Sequence, residues 1–263
     1  MQAPDLSNLQ KNFHDVLGAL TKMYEDPDAD PAAIAEKRLE VIKTAQNYIA
    51  NKSSARALGW YGFCLVTGQE GFPVQFDRGV KLMNEAILGK DADSVINMAD
   101  ILSGQVAGVT EDKLDYEKAL KLYERAGEQF NDGYACYRIA TMLLGGSPLP
   151  LDVRKGLNYV ERSQHLGDDS GTHLLAWLTY NGEYLQQDSQ KAYDLISDII
   201  ARTDGTNFHS TAQVSAIFLK GLMMYDGAIE GTPQEAYDLI KLAGDYGDGE
   251  AIRWLDAYHL QNF

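Results

Sequence analysis

One register recurs through this chain, and nothing else constrains its fold as tightly. The stretch DYEKALKLYERAGEQFND, residues 115–132, is echoed by FDRGVKLMNEAILGKD, LDVRKGLNYVERSQHLGDD, DSQKAYDLISDII and TPQEAYDLIKLAGDYGD. Aligned on a small residue, the copies fall at Gly79, Ala119, Gly156, Ala192 and Ala236, with Arg38 an outlying first member. The spacings are 41, 40, 37, 36 and 44 residues. Three and four residues after each small residue comes an apolar or aromatic pair, from Leu82-Met83 to Leu239-Ile240. That is helical spacing with one buried face.

A second helix precedes each copy, marked by a large residue followed by a small one. The pairs are Leu17-Gly18, Tyr61-Gly62, Met98-Ala99, Ile139-Ala140, Leu175-Ala176 and Lys220-Gly221. A glycine then stops the helix at Gly68, Gly104, Gly146, Gly182 and Gly227, as expected just past a last helical turn. Each unit is therefore helix, Gly-rich turn, helix. One such pair cannot bury its own apolar stripe, so a period of this length implies stacked pairs that bury it between neighbours.

The expected architecture is all-α: a single right-handed superhelical solenoid of antiparallel helix pairs over residues 1–263. It divides into a divergent N-terminal pair at 1–53, repeats at 54–91, 92–131, 132–168, 169–207 and 208–247, and a capping helix at 248–263. In that last helix Asp256 takes the position that should be small, as suits a helix with no further neighbour.

The pattern A-x-x-x-L-G-x-x-Y-x-x-G followed by D-x-x-K-A-x-x-x-Y-x-x-A resembles the Sel1-like repeat, a relative of the tetratricopeptide repeat. Asp115, Lys118, Ala119, Tyr123 and Ala126 carry its second half; Ala135, Ile139, Ala140 and Gly146 carry its first. The resemblance covers residues 54–247 and reaches loosely to 6–50. It implies a non-enzymatic module that binds a protein partner, as adaptor or regulator. Relatives of this kind include immunity proteins that neutralise a bacterial toxin, and that is the alternative reading. The family's cysteine-rich secreted branch, linked to β-lactam binding, is a poor fit, because its repeated cysteine pairs are missing here.

Charge narrows the partner. With 38 acidic and 23 basic residues the chain carries −15, which repels a phosphate backbone or an anionic membrane surface and attracts a basic protein. No nucleic acid and no membrane insertion are expected; no run nears the roughly 18 apolar residues of a membrane span. The start MQAPDLSNLQ lacks a basic then apolar leader, so the expected compartment is the cytoplasm, or the periplasm had a signal been removed. The two cysteines, Cys64 and Cys136, make neither a disulfide framework nor a metal knuckle. A monomer or weak dimer is expected.

Chemistry finds little support. Nucleophile-elbow, zinc-protease, phosphate-loop and dinucleotide motifs are all missing. Of the five histidines, His14, His165, His173, His209 and His259, two flank Asp168-Asp169 and invite a metal, but LGDDSG falls at an inter-repeat turn where aspartates cap helices. DPDADP, residues 26–31, opens like a calcium loop, yet its sixth and twelfth positions are Pro31 and Lys37, not glycine and glutamate; it reads as a linker with Asp30 capping the next helix. No cofactor, metal or catalytic residue is expected, and a hydrolase is the remote alternative.

In related helix-pair solenoids the first helix of each unit lines the inner face. Counted from its small residue, the inward positions lie six and three before and one and four after. From residue 134 onward these are strongly aromatic. The candidate contacts are Phe63, Asp100, Tyr134, Tyr137, His173, Trp177, Tyr180, Phe218 and Tyr225. Aromatic side chains with a polar tip are frequent interface anchors, and beside surplus acid they suit a partner presenting basic and apolar groups. The competing reading is that these rings fill the protein's own interior.

Overall fold

A computed structural model of the chain describes residues 6–26, 28–50, 54–202 and 210–262. The proposed repeat boundary at 207/208 lies outside the described residues, as does His209. Among the described residues there are thirteen α-helices and no strand. They are α1 (Leu6–Glu25), α2 (Pro31–Ala50), α3 (Ala55–Thr67), α4 (Phe76–Leu88), α5 (Ala92–Leu102), α6 (Tyr116–Gln129), α7 (Gly133–Leu144), α8 (Val153–His165), α9 (Asp169–Asn181), α10 (Ser189–Ile200), α11 (Thr211–Tyr225), α12 (Pro233–Asp245) and α13 (Gly249–Asn262). The chain forms two compact units, one ending at Ala126 and the other beginning at Gly127.

The small residues of the register are where paired helices meet. Gly62 of α3 and Gly79 of α4 face each other so closely that a Cβ on Gly62 would lie 2.7 Å from the Gly79 carbonyl oxygen and 2.7 Å from Met83 Cγ. A Cβ on Gly79 would meet the Gly62 oxygen at 2.5 Å and Val66 Cγ2 at 2.7 Å. Later residues of α3 thus meet earlier residues of α4, so the pair is antiparallel. Ala99, Ala119, Ala140, Ala176, Ala192 and Ala236 hold equivalent positions and are fully buried.

Helix ends follow the local chemistry. Side chains of Ser54, Asp91, Asp132, Asp168 and Ser210 accept a backbone N–H in the first turn of α3, α5, α7, α9 and α11. Each satisfies one of the otherwise orphaned donors of a helix start. Asp248 does the same for α13, its Oδ1 accepting the N–H groups of Glu250 and Ala251 at 3.0 and 2.9 Å. Gly68 and Gly182 close α3 and α9 in the left-handed region, at φ 74° and 70°. Asp30 accepts the Ala32 N–H at 3.0 Å, so the DPDADP acid is a helix cap.

In the first unit, Phe13, Val16, Leu20, Val41, Ala45 and Ala57 form one core cluster, and Tyr61, Cys64, Leu65 and Phe72 another. In the second, Ala176, Ile196, Ile199, Leu219 and Met223 are central, and Val214, Ile217, Ile240 and Ala251 extend the core to α13. Asp256 is exposed.

Candidate functional site

In the second unit, α7, α9, α11 and the start of α13 enclose a hollow of about 240 Å³. Its walls are Tyr137, His173, Leu174, Trp177, Ser215, Phe218, Asp248 and Glu250. Tyr137, His173, Trp177, Ser215 and Phe218 all occupy inward register positions, so the repeat itself brings them together. Trp177 and Phe218 lie nearly parallel, with centroids 6.5 Å apart and planes at 25°.

The polar groups of this hollow are unevenly satisfied. Asp248 is 8% exposed. It accepts the Ser215 hydroxyl at 2.6 Å as well as two backbone N–H groups of α13. No lysine or arginine among the described residues pairs with it. Glu250 is exposed and pairs with Arg253 one turn along α13. The His173 Nε2 atom is closed to solvent and has no hydrogen-bond partner. Burial pushes the His173 pKa down to about 4, against the opposing pull of the Asp248 charge and the Ser215 carbonyl. The ring is therefore neutral at pH 7, with a nitrogen lone pair to offer.

A second hollow, in the first unit, occupies the corresponding register. It measures about 110 Å³ and is lined by Phe13, Leu17, Arg56, Trp60, Phe63, Asp91, Asp93, Ser94 and Asn97. Arg56 and Asp93 form an ion pair at 3.4 Å. Asp91 caps α5 and also accepts the Ser94 hydroxyl.

The other candidate contacts are dispersed. Phe63 lines the smaller hollow. Asp100 is half-buried, and one of its oxygens accepts the hydroxyl of the fully buried Tyr123 at 2.5 Å. Tyr180 is 7% exposed, its ring sits in the core, and its hydroxyl donates to Asp226 at 2.6 Å. Burial, then Asp226, pushes its pKa well above the ordinary tyrosine value. Phe218 is 4% exposed and turns only a fraction of its ring to the hollow. Tyr134 lies 6.3 Å from Tyr137. Tyr225 is 47% exposed and packs edge-on against Trp254, which stacks on Tyr258. For Asp100 and Tyr180, then, an internal hydrogen bond engages the side chain; Tyr137, His173 and Trp177 converge on the larger hollow.

The remaining polar candidates are structural. Asp168 caps α9, and the His165 ring is tied at Nδ1 to the Glu161 carbonyl at 2.7 Å. Among the described residues no three His, Cys, Asp or Glu side chains gather as a metal would require. Cys64 and Cys136 are buried thiols, and burial raises the Cys136 thiol pKa, which lowers its reactivity. Among the described residues no helix is long and apolar enough to cross a membrane.

The Sel1 repeat family matches residues 92–129, 133–168 and 170–196. Residues 92–196 are Sel1 repeats. The chain is similar in fold to a Sel1 repeat protein from Oxalobacter formigenes, with a TM-score of 0.65 at 21% identity over 92% of this chain and 100% of that one. A protective antigen present in uropathogenic Escherichia coli strains, displaying an SLR fold, aligns at a TM-score of 0.61 and 19% identity. That alignment covers 92% of this chain and 48% of the antigen, so the chain spans about half its length. An immunity protein from Pseudomonas aeruginosa aligns at 0.45 and 16% identity over 72% of this chain and 64% of its own, too loosely to argue from. No curated protein matches the sequence. The all-α fold is thus a solenoid of Sel1 helix pairs, and such repeats serve in general as protein-interaction modules.

Ser215, Asp248 and Glu250 are the functional candidates missing from the sequence-derived set. Ser215 is an inward register position with nothing conspicuous about it. Asp248 and Glu250 belong to GDGE, which repeats the cap spacing of DAD at 91–93. That echo was the available signal.

Proposed function

We propose that this chain is a non-catalytic binding module whose protein partner docks over the larger hollow in the second unit. One observation carries the reading: Tyr137, His173 and Trp177 stand in inward register positions and border open space beside a buried acid and an exposed one. Rings with polar tips around a water-accessible hollow are the composition of an interface centre. On the proposed division at 54, 92, 132, 169 and 208, three successive repeats and the last helix each supply part of the wall. The partner presents basic and apolar groups, matching the −15 charge of the chain.

The hollow also argues against hydrolysis. The Ser215 hydroxyl donates to Asp248 and not to His173, so the serine–histidine pair of a hydrolase is not formed here.

Affinity capture from the native cell extract tests the proposal, using wild type against Tyr137→Ala/Trp177→Ala after matching thermal stabilities. A partner held by wild type and lost by the variant supports it; a partner held equally by both refutes this site. Whether the work is that of an adaptor or of an immunity-type inhibitor of a basic toxin follows from the partner's activity with and without this protein.

A further inference from the structure

The two hollows share three register positions in their linings. Six positions before the small residue of the first helix stands Arg56 in α3 and Ser215 in α11. At the same position of the following first helix stands Asp93 in α5 and Glu250 in α13. The capping carboxylates Asp91 and Asp248 precede those acids by two residues in both units. Each hollow therefore has two acids at its far wall. In the first the cation comes from the hollow's own lining, the largely exposed Arg56 beside Asp93; in the second Glu250 pairs with Arg253 along α13, outside the lining, and Asp248 has no cation among the described residues. There a serine stands where the arginine would, the space is about 240 Å³ in place of about 110 Å³, and two aromatic rings border it.

We propose that the hollow of the second unit binds an arginine side chain of the partner protein, its guanidinium occupying the space that Arg56 takes in the first unit. This rests on the reading of the hollow as a protein-docking site and names what enters it. The volume is below the roughly 300 Å³ at which drug-sized ligand pockets begin, so it suits one side chain. A guanidinium is planar, stacks on aromatic faces and presents several N–H donors in a fixed fork. Trp177 supplies a face, backed by the Phe218 ring; Glu250, and the rim of Asp248, supply negative charge. The His173 Nε2 lies unpartnered and closed to solvent behind this wall. The first unit shows that this scaffold accommodates an arginine at this register without rearrangement of the cap.

The test is titration of the full chain with N-acetylarginine methylamide, following the Trp177 indole N–H resonance, assigned through Trp177→Phe. The lysine and citrulline analogues run in parallel; citrulline keeps the shape of arginine and removes its charge. Saturable binding in the millimolar range is expected, as befits a single side chain, weaker by about tenfold or more for citrulline. Ser215→Arg, which rebuilds the first unit's arrangement, abolishes the response. Glu250→Gln, at an exposed site where folding is unaffected, weakens it severalfold.

Equal binding of citrulline, tighter binding of the lysine analogue, or an undiminished response in folded Ser215→Arg each overturns the assignment. Should the extract partner depend on Tyr137 and Trp177 while arginine gives no response, the guanidinium is wrong and the docking site stands. An arginine response without any dependent partner refutes the docking reading instead.

Discussion

The hollows of the two units are built from one register and end in different states. In the first unit the inward position three before the small residue is Gly59, and the N-terminus of α5 comes against it: a Cβ there would lie 1.8 Å from Ser94 Oγ and 2.9 Å from Asp91 Oδ2. In the second unit the same position is Phe218, whose ring occupies the interval before α13. Glycine with arginine gives a small hollow edged by the exposed Arg56–Asp93 pair; phenylalanine with serine gives a larger one edged by the buried Asp248 and by Glu250, which Arg253 holds from its own helix. The helix-pair scaffold tolerates either, because its stability resides in the small-residue contacts between helices, such as Gly62 with Gly79. Inward residues thus differ between the two units with little effect on the frame.

The largest effect expected from this contrast is pH-dependent and belongs to the second unit alone. His173 is held neutral, with a pKa of about 4 in the fold against roughly 6.5 when unfolded. Below pH 6.5 the unfolded chain takes up the proton first, so the stability this ring contributes is complete above 6.5 and is lost as pH falls through about 4. The loss reaches up to about 3 kcal/mol. Asp248 is the charge beside the ring, and Glu250 and Tyr137 share its hollow. Denaturant midpoints of wild type and His173→Gln, measured from pH 7 to pH 4, should converge as the pH falls. Parallel curves would mean the ring is solvated and the hollow wetter than its geometry suggests.

Closing the contrast from the other side, Gly59→Ala drives a methyl into the Asp91–Ser94 cap and should destabilise the chain by about 1–3 kcal/mol. Adding Ser94→Ala should restore part of it, a non-additivity that a double-mutant cycle reads directly. Additive losses would show that Gly59 serves backbone freedom and not the close approach of α5.

The sequence carried the helix pairs well because their determinants are local and periodic. The small residues at Gly62, Ala99, Ala140, Ala176 and Gly221, the caps at Asp91, Asp132 and Asp168, and the stops at Gly68 and Gly182 each state a conformational requirement that no neighbour can override. The candidate site was less legible. Register alone predicted that Tyr137, His173 and Trp177 face inward, but it could not distinguish a ring beside a hollow from one that packs. Tyr180 is buried in the core, and Asp226, in the loop after α11, reaches its hydroxyl; Tyr137 is half-buried at the hollow. Asp100 is likewise claimed by Tyr123 from the paired helix. Both decisions are made by residues 23 and 46 positions away, beyond any periodic signal.

Those two tyrosine–aspartate pairs offer the next-smaller test. Tyr123 is fully buried between Asp100 and the Ser103 hydroxyl, 3.0 Å away. Its loss strands a carboxylate's hydrogen bond inside the first unit, and Tyr123→Phe should cost about 1.5–3 kcal/mol. In the second unit Asp226 is exposed, so water replaces the lost hydroxyl and Tyr180→Phe should cost about 0.5–1.5 kcal/mol. Chemical denaturation of the two variants ranks them. A larger loss from Tyr180→Phe would place Asp226 within the fold's essential packing and make the second unit the more polar-dependent of the two.

The smallest effect concerns Arg253, which holds Glu250 across one turn of α13. Both side chains are more than half exposed, and a surface pair of this kind contributes about 0–1 kcal/mol. Arg253→Ala should therefore leave folding nearly unchanged while freeing Glu250 to face the hollow. If a guanidinium guest and Arg253 compete for that carboxylate, the variant binds the arginine amide about two- to threefold more tightly. In the first unit the corresponding acid, Asp93, already spends its charge on Arg56, so the gain has no counterpart there. An unchanged affinity would remove Glu250 from the recognition and leave the Trp177 face and the buried Asp248 as its whole basis.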